Sequence, residues 1–213
     1  MSSPTNQIAA FEAALLANAP TYDVKLSPND LLQLTVYYQL INTWNPRLHL
    51  VAPCSAEEFA QRHILESLVL LRYLPDSASV VDVGSGAGLP IIPCLIVRDD
   101  ISALLIEAAK RKAVFLREAL KAIGRTSSAK VIAERFETVA TPAAQFITSR
   151  ALDRFGAMLP KLVEWAPHRC TMLLFGGPDL EKTLATLRLP HSRIHIPNSE
   201  KRFLFVVEVG KTQ

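Results

Sequence analysis

Residues 79–90 run Ser79, Val80, Val81, Asp82, Val83, Gly84, Ser85, Gly86, Ala87, Gly88, Leu89 and Pro90. The three valines are β-branched and apolar on both faces, as in a strand buried inside a parallel sheet. The carboxylate of Asp82 interrupts that run. Gly84, Gly86 and Gly88 then allow a sharp turn that brings backbone close to a ligand, and Pro90 suits the first turn of a following helix. A dinucleotide site needs Gly-x-Gly-x-x-Gly. Counted from Gly84, the third glycine position of that pattern holds Leu89. The spacing therefore favours a ligand without a pyrophosphate.

Working outward, residues 89–98 read as a helix, residues 101–106 as a second buried strand, and Glu107 stands just past its end, where an acid suits a ribose diol. Strand, glycine loop, helix, strand and acid resemble the Rossmann-like S-adenosylmethionine methyltransferases; a ligand-free βαβ unit with a tight turn is the other reading. Strand and helix continue to alternate: helix 108–123 stopped by Gly124, strand 129–133, strand 146–149, helix 153–165, strand 170–175 and helix 179–188. A final strand pair, 191–196 with 203–209, completes seven strands. The expected fold class is α/β, a mostly parallel Rossmann-like sheet spanning 77–213 behind a helical extension at 1–76.

In that extension Ile8, Phe11 and Leu15 fall at helical spacing, and residues 18–25 read as a connection. Ser27 and Pro28 open a second helix with Asp30 near its positive end, its apolar face carrying Leu34, Tyr37, Ile41 and Trp44. Pro46 and Pro53 bracket an extended piece. Ser55 to Glu58 reads as a capping box that starts a third helix, with Arg62 and His63 within it.

At 213 residues and 49% hydrophobic the chain can bury a sizeable core. Its net charge of +3 permits a polyanionic partner without demanding one. Cys54, Cys94 and Cys170 are far apart and read as buried thiols, with neither a disulfide framework nor a zinc spacing. No basic segment leads an apolar run at the start, and no window nears 18 apolar residues, so a soluble cytoplasmic protein without a membrane partner is expected.

Several segments together resemble the RsmG/GidB family of bacterial 16S rRNA (guanine-N7) methyltransferases. They are Trp44-Asn45 with Leu48 and Leu50; Arg62-His63 with Ser67-Leu68; Asp82 to Pro90 with Ile92-Pro93; Lys110, Arg111 and Lys112 with Phe115-Leu116; Arg135 with Glu137; and Ser149-Arg150-Ala151. Departures from the family pattern are His49, Val51, Glu66, Ile91 and Phe175, the last standing where the family commonly has lysine.

The resemblance implies S-adenosylmethionine as cofactor and 16S rRNA or the small ribosomal subunit as partner, for a protein expected to be a monomer. The substitution at Phe175 leaves open a different RNA or small-molecule acceptor, or a non-catalytic RNA-binding relative. The cofactor residues implied are Asp82, Gly84, Ser85, Gly86, Gly88, Leu89, Glu107, Arg135, Phe136, Glu137 and Arg150. Asp82 would balance the cationic methionine end or cap loop amides, ionised in either role. Glu107 would accept from ribose hydroxyls unless it is a solvated acid. Arg135, Phe136 and Glu137 would neighbour the adenine, which this class holds largely through backbone groups, or their side chains would only brace the loop. Arg150, the one catalytic candidate, would grip phosphate or guanine O6, or else form a salt bridge that pins its loop. His63 reads as a satisfied packing histidine, and His49 has no role. Arg47, Arg62, Lys110, Arg111 and Arg150 are the RNA-contact candidates. The face of Lys110, Arg117 and Lys121 is otherwise a solvated helix surface.

Overall fold

A computed structural model describes residues 4–150 and 155–210. Its helical extension consists of α1 (Pro4–Asn18), α2 (Pro28–Leu48), α3 (Ala56–Phe59), a π-helical turn (Ala60–Leu65), α4 (Glu66–Leu68) and a 3-10 turn (Val69–Tyr73). Strands and helices then alternate as β1 (Ser79–Val83), α5 (Ile91–Val97), β2 (Ser102–Ile106), α6 (Lys110–Ala122), β3 (Ala129–Ile132) and β4 (Phe146–Arg150). They continue as α7 (Phe155–Trp165), β5 (Cys170–Gly176), α8 (Pro178–Thr186), β6 (His191–His195) and β7 (Phe203–Val209). The expected start of α7 at Asp153, and Ala151 of the Ser-Arg-Ala segment, lie outside the described residues.

The seven strands lie in the order β3-β2-β1-β4-β5-β7-β6, with β7 antiparallel to both neighbours. Strand order reverses between β1 and β4, the switch point at which open α/β sheets bind ligands at the carboxyl ends of their strands. Alternation along β1 sorts its side chains between two cores. Val80 packs with Leu34, Ile41, Leu65 and Leu95 of the extension and α5. Val81 and Val83 pack on the other face with Leu159, Leu162 and Leu184 from α7 and α8. The extension therefore shares one core with the sheet.

Local chemistry accounts for most element ends. Ser27 Oγ accepts from the Asp30 amide while the Asp30 carboxylate accepts from the Ser27 amide, a full capping box. At Ser55 the expected box is only half made, because the Glu58 side chain turns away to an ion pair with Arg62. Pro90 precedes α5 as its cap rather than entering its first turn. The expected break at Pro46 does not occur either. A proline there removes one helical donor, but α2 continues through it to Leu48, with Trp44 packed edge-on against Phe115 of α6 at 6.0 Å. The helix ends instead at His49, in the left-handed region at φ 48°. Cys94 and Cys170 are buried, whereas Cys54 is only half-buried. Among the described residues, no helix is long and apolar enough to cross a membrane.

Candidate functional site

A cleft of about 550 Å³ opens at the carboxyl ends of β1, β2 and β4. Its floor is Gly84 to Ala87 with Leu89. Gly84 and Gly86 have φ of 72° and 54°, which L-residues rarely adopt, so the loop leaves backbone facing the cleft there. The Gly84 and Ser85 amides both donate to the Ile106 carbonyl, at 2.9 and 3.2 Å, tying the loop to the end of β2.

Glu107 follows directly and is 8% exposed. One carboxylate oxygen accepts from the Gly86 amide and the other from the Ala109 amide, both at 2.8 Å. A carboxylate has about four acceptor positions, so each oxygen keeps capacity for another donor. Past β3, Glu134, Arg135, Phe136 and Glu137 form the next wall. Phe136 is fixed edge-on to Trp165 at 5.5 Å, and Arg135 pairs with Glu137 at 3.1 Å. Backbone without side chains, a braced acid and an aromatic wall fit a nucleoside whose ribose lies on Glu107.

Two expected cofactor residues are not on the cleft wall. Gly88 turns inward at φ 86°, where a Cβ would lie 2.3 Å from Ile92 Cδ1, so its lack of a side chain serves packing. Asp82 has the parity of Val80 along β1 and projects towards the extension, beneath the loop. It is 1% exposed, and neither carboxyl oxygen has a hydrogen-bond partner among the described residues. Burial pushes its pKa up to about 8, opposed by the neighbouring Ser85 hydroxyl and reinforced by the Glu107 charge. The expectation of an ionised Asp82 is corrected accordingly: in this state it is a neutral acid at pH 7, because an unpaired buried carboxylate is costly. Tyr37 also lies close, its hydroxyl donating to the Ala87 carbonyl at 2.6 Å.

Arg150 does line the cleft, but its guanidinium is committed to protein. It donates to Glu66 Oε2 at 3.1 Å, to Ser67 Oγ at 3.3 Å and to the Arg62 carbonyl, and stands 5.6 Å from the centre of the Phe175 ring. Arg202, from the turn before β7, holds the other Glu66 oxygen at 2.8 Å. Glu66 is 2% exposed and Arg150 16%, while Arg202 reaches solvent at 38%, so an Arg–Glu–Arg bridge with a buried centre runs from the sheet edge to the extension. Of the two roles expected for Arg150, the geometry supports the salt bridge. A lysine at 175 would add a third cation beside this pair, whereas the Phe175 ring offers its π face to Arg150.

Three features of the cleft escape the sequence patterns. Leu50, Val51 and Ala52 form an apolar wall, held in place because the Asn45 side chain bonds both the Val51 amide and carbonyl, at 3.0 and 3.1 Å. An apolar run between two prolines was its only signal. Lys112 of α6 and Met158 of α7 also reach the cleft. Finally His63, expected as a satisfied packing residue, lines the cleft with Nδ1 buried and unpartnered. The RNA-contact candidates Arg47, Lys110 and Arg111 are exposed on α2 and α6, and Arg62 is exposed although paired with Glu58.

The model of the GidB family, rRNA small subunit methyltransferase G, matches residues 30–190. The ribosomal RNA small subunit methyltransferase G of Chloroflexus aggregans is 30% identical over 92% of this chain and 89% of its own. That of Neisseria gonorrhoeae is 35% identical over 64% of this chain. The chain spans about 63% of that relative's length. Among solved structures, a SAM-dependent methyltransferase from Aquifex aeolicus superposes with a TM-score of 0.58 over 81% of this chain and 98% of its own, at 14% identity. An RNA methyltransferase from Salinibacter ruber, in complex with S-adenosyl-L-homocysteine, gives 0.55 over 70% of this chain and 92% of its own, also at 14% identity. Likeness at that identity speaks for the fold alone.

Proposed function

The chain belongs to the GidB family of small-subunit rRNA methyltransferases G, and from that premise we propose that it methylates N7 of a guanine in 16S ribosomal RNA, with S-adenosylmethionine as donor. The observation that carries the reading is the cleft at the sheet's switch point, where the backbone of the Gly84–Gly86 loop meets the braced carboxylate of Glu107. When bound, S-adenosylmethionine supplies an electrophilic methyl group on a sulfonium.

The chain's part follows from the chemistry of the acceptor. Guanine N7 carries an exposed lone pair on the major-groove edge, so no residue need remove a proton. What remains is orientation, worth up to about 7–11 kcal/mol when reacting atoms are held in line. Glu107 would accept from the ribose hydroxyls of bound S-adenosylmethionine, the loop backbone would take the part beyond the ribose, and the loop holding Phe136 would take the adenine. The acceptor base enters from the side of Leu50 to Ala52, His63 and Arg150, where apolar walls exclude water. Exposed Arg47, Lys110 and Arg111 neutralise RNA phosphates at the rim. The reading implies a cytoplasmic monomer.

The test is to incubate the protein with S-adenosylmethionine and small ribosomal subunits or bare 16S rRNA from cells lacking the activity, then digest the RNA to nucleosides. Formation of 7-methylguanosine at one position is expected. A methyl group on another atom, or none on RNA, would overturn the proposal.

A further inference from the structure

The helix capped by Ser55 widens into the π turn Ala60–Leu65, a distortion that often marks functional sites. That turn is held by the sheet edge. The Arg62 carbonyl accepts from Arg150, the His63 carbonyl accepts from Ser67 Oγ, and Ser67 Oγ itself accepts from Arg150. One side of the His63 ring rests against Phe59, with centroids 4.9 Å apart. The ring is thus fixed in backbone and orientation before any ligand arrives.

Its protonation follows from burial. Desolvation, with the nearby cations of Arg150, Arg62 and Arg202, lowers its pKa to about 3, so the imidazole is neutral at pH 7. A neutral ring carries one N–H. Nδ1 is buried with no partner among the described residues, and a buried N–H without an acceptor is more costly than a buried lone pair. With Nδ1 the buried nitrogen of a residue that lines the cleft, the proton belongs on Nε2, where it is a single uncharged donor.

Guanine presents O6 and N7 as neighbouring acceptors, whereas adenine presents an amine in place of O6. An arginine fork that gripped both acceptors would occupy the N7 lone pair that must attack the methyl group. Arg150 is withheld from that role by Glu66, Ser67 and the Arg62 carbonyl. Resting on the reading that guanine N7 is the acceptor, we propose that His63 selects the base: its Nε2–H donates to guanine O6 and leaves N7 free. Adenine, with a donor at that position, opposes N–H to N–H and is rejected.

The experiment uses acceptor RNA whose methylated guanine is replaced by inosine, which keeps O6 and N7, or by 2-aminopurine, which keeps N7 and lacks O6. Single-turnover methylation and KM are measured for the wild type, His63→Gln and His63→Leu, with S-adenosylmethionine affinity by calorimetry as the check on folding and cofactor binding. The wild type should methylate guanine and inosine alike and 2-aminopurine about tenfold more slowly, as expected for one lost hydrogen bond. His63→Leu should slow guanine by about the same factor and lose the discrimination, His63→Gln should restore part of it through its amide N–H, and cofactor affinity should stay within about twofold. A His63→Leu variant that still discriminates, or a wild type indifferent to O6, overturns the assignment while leaving the methyltransferase reading intact. Absence of any N7 methylation by the wild type would instead remove that reading, and His63's role with it.

Discussion

Replacing Asp82 by asparagine removes a titrating proton from a buried site where no cation faces the carboxyl among the described residues, and the consequence for stability is fixed in sign. In the unfolded chain Asp82 ionises near its ordinary value of 3.8; in the folded protein burial pushes this up to about 8. Between those values the folded state holds a proton that the unfolded state has released, so wild-type stability falls as pH rises through the window. Each pH unit within it corresponds to about 1.36 kcal/mol, or about 3 kcal/mol from pH 5 to pH 7. The asparagine side chain has the same shape and does not titrate. Its own burial cost is present at every pH and cancels from the slope. So does the His63 contribution, which acts in the opposite direction because its folded pKa is depressed: it is present above about 6.5 and lost as pH falls towards about 3. Urea unfolding of both proteins at pH 5, 6 and 7 gives the difference directly. Asp82→Asn should gain on the wild type by about 3 kcal/mol over that range. A difference independent of pH would mean that Asp82 is ionised and partnered when folded, and the account of the buried carboxyl would fail.

Glu107→Ala should weaken S-adenosylmethionine binding by about 1–3 kcal/mol, through loss of charge-assisted acceptors for the ribose, with calorimetry as the measurement. Glu66→Gln leaves Arg150 and Arg202 without their shared charge; because Arg202 is 38% exposed and its share is screened, unfolding should be easier by about 3 kcal/mol in denaturant titrations. Gly88→Ala places a Cβ against Ile92 in a left-handed backbone, and should cost about 2–5 kcal/mol of stability by the same titration. Reversing Lys110 and Arg111 to glutamate should flatten the salt dependence of RNA binding, by about 0.7 in logarithmic slope for each phosphate left unneutralised on single strands; an unchanged slope would mark them as a solvated helix face.

Much of the architecture was legible because it is written in short-range pattern. β-branched runs, glycines at positive φ, Ser27 with Pro28, and Gly124 after α6 each act within a few residues, and their order along the chain implies a parallel sheet with its ligand edge at Gly84 to Gly86. Glu107 was legible for the same reason, since an acid at the end of the second strand has one place to go. Where local signals misled, tertiary contacts stand beside the departure: α2 runs through Pro46 while packed on α6, and Glu58 pairs with Arg62 instead of closing its cap.

The chain order alone could not say which partners meet across the fold. Arg150 lies 84 residues from Glu66, and Arg202 lies 136 from it, yet the three form one bridge with a buried centre. Whether Arg150 faced RNA or pinned the extension was open until Glu66 and the Arg62 carbonyl were found against it. Asp82 follows the same rule, because strand alternation gives its side but only the packed extension buries it without a cation to hold its charge. His63 depends most on tertiary structure, since one widened helical turn decides whether its ring joins the core or the cleft. Sequence by itself determined the sheet, its glycine loop and the acid beside it, through interactions spanning a few residues. The state of each buried charge, and the wall that faces the acceptor, were decided only when distant segments closed over one another, because desolvation and pairing depend on everything packed around a group.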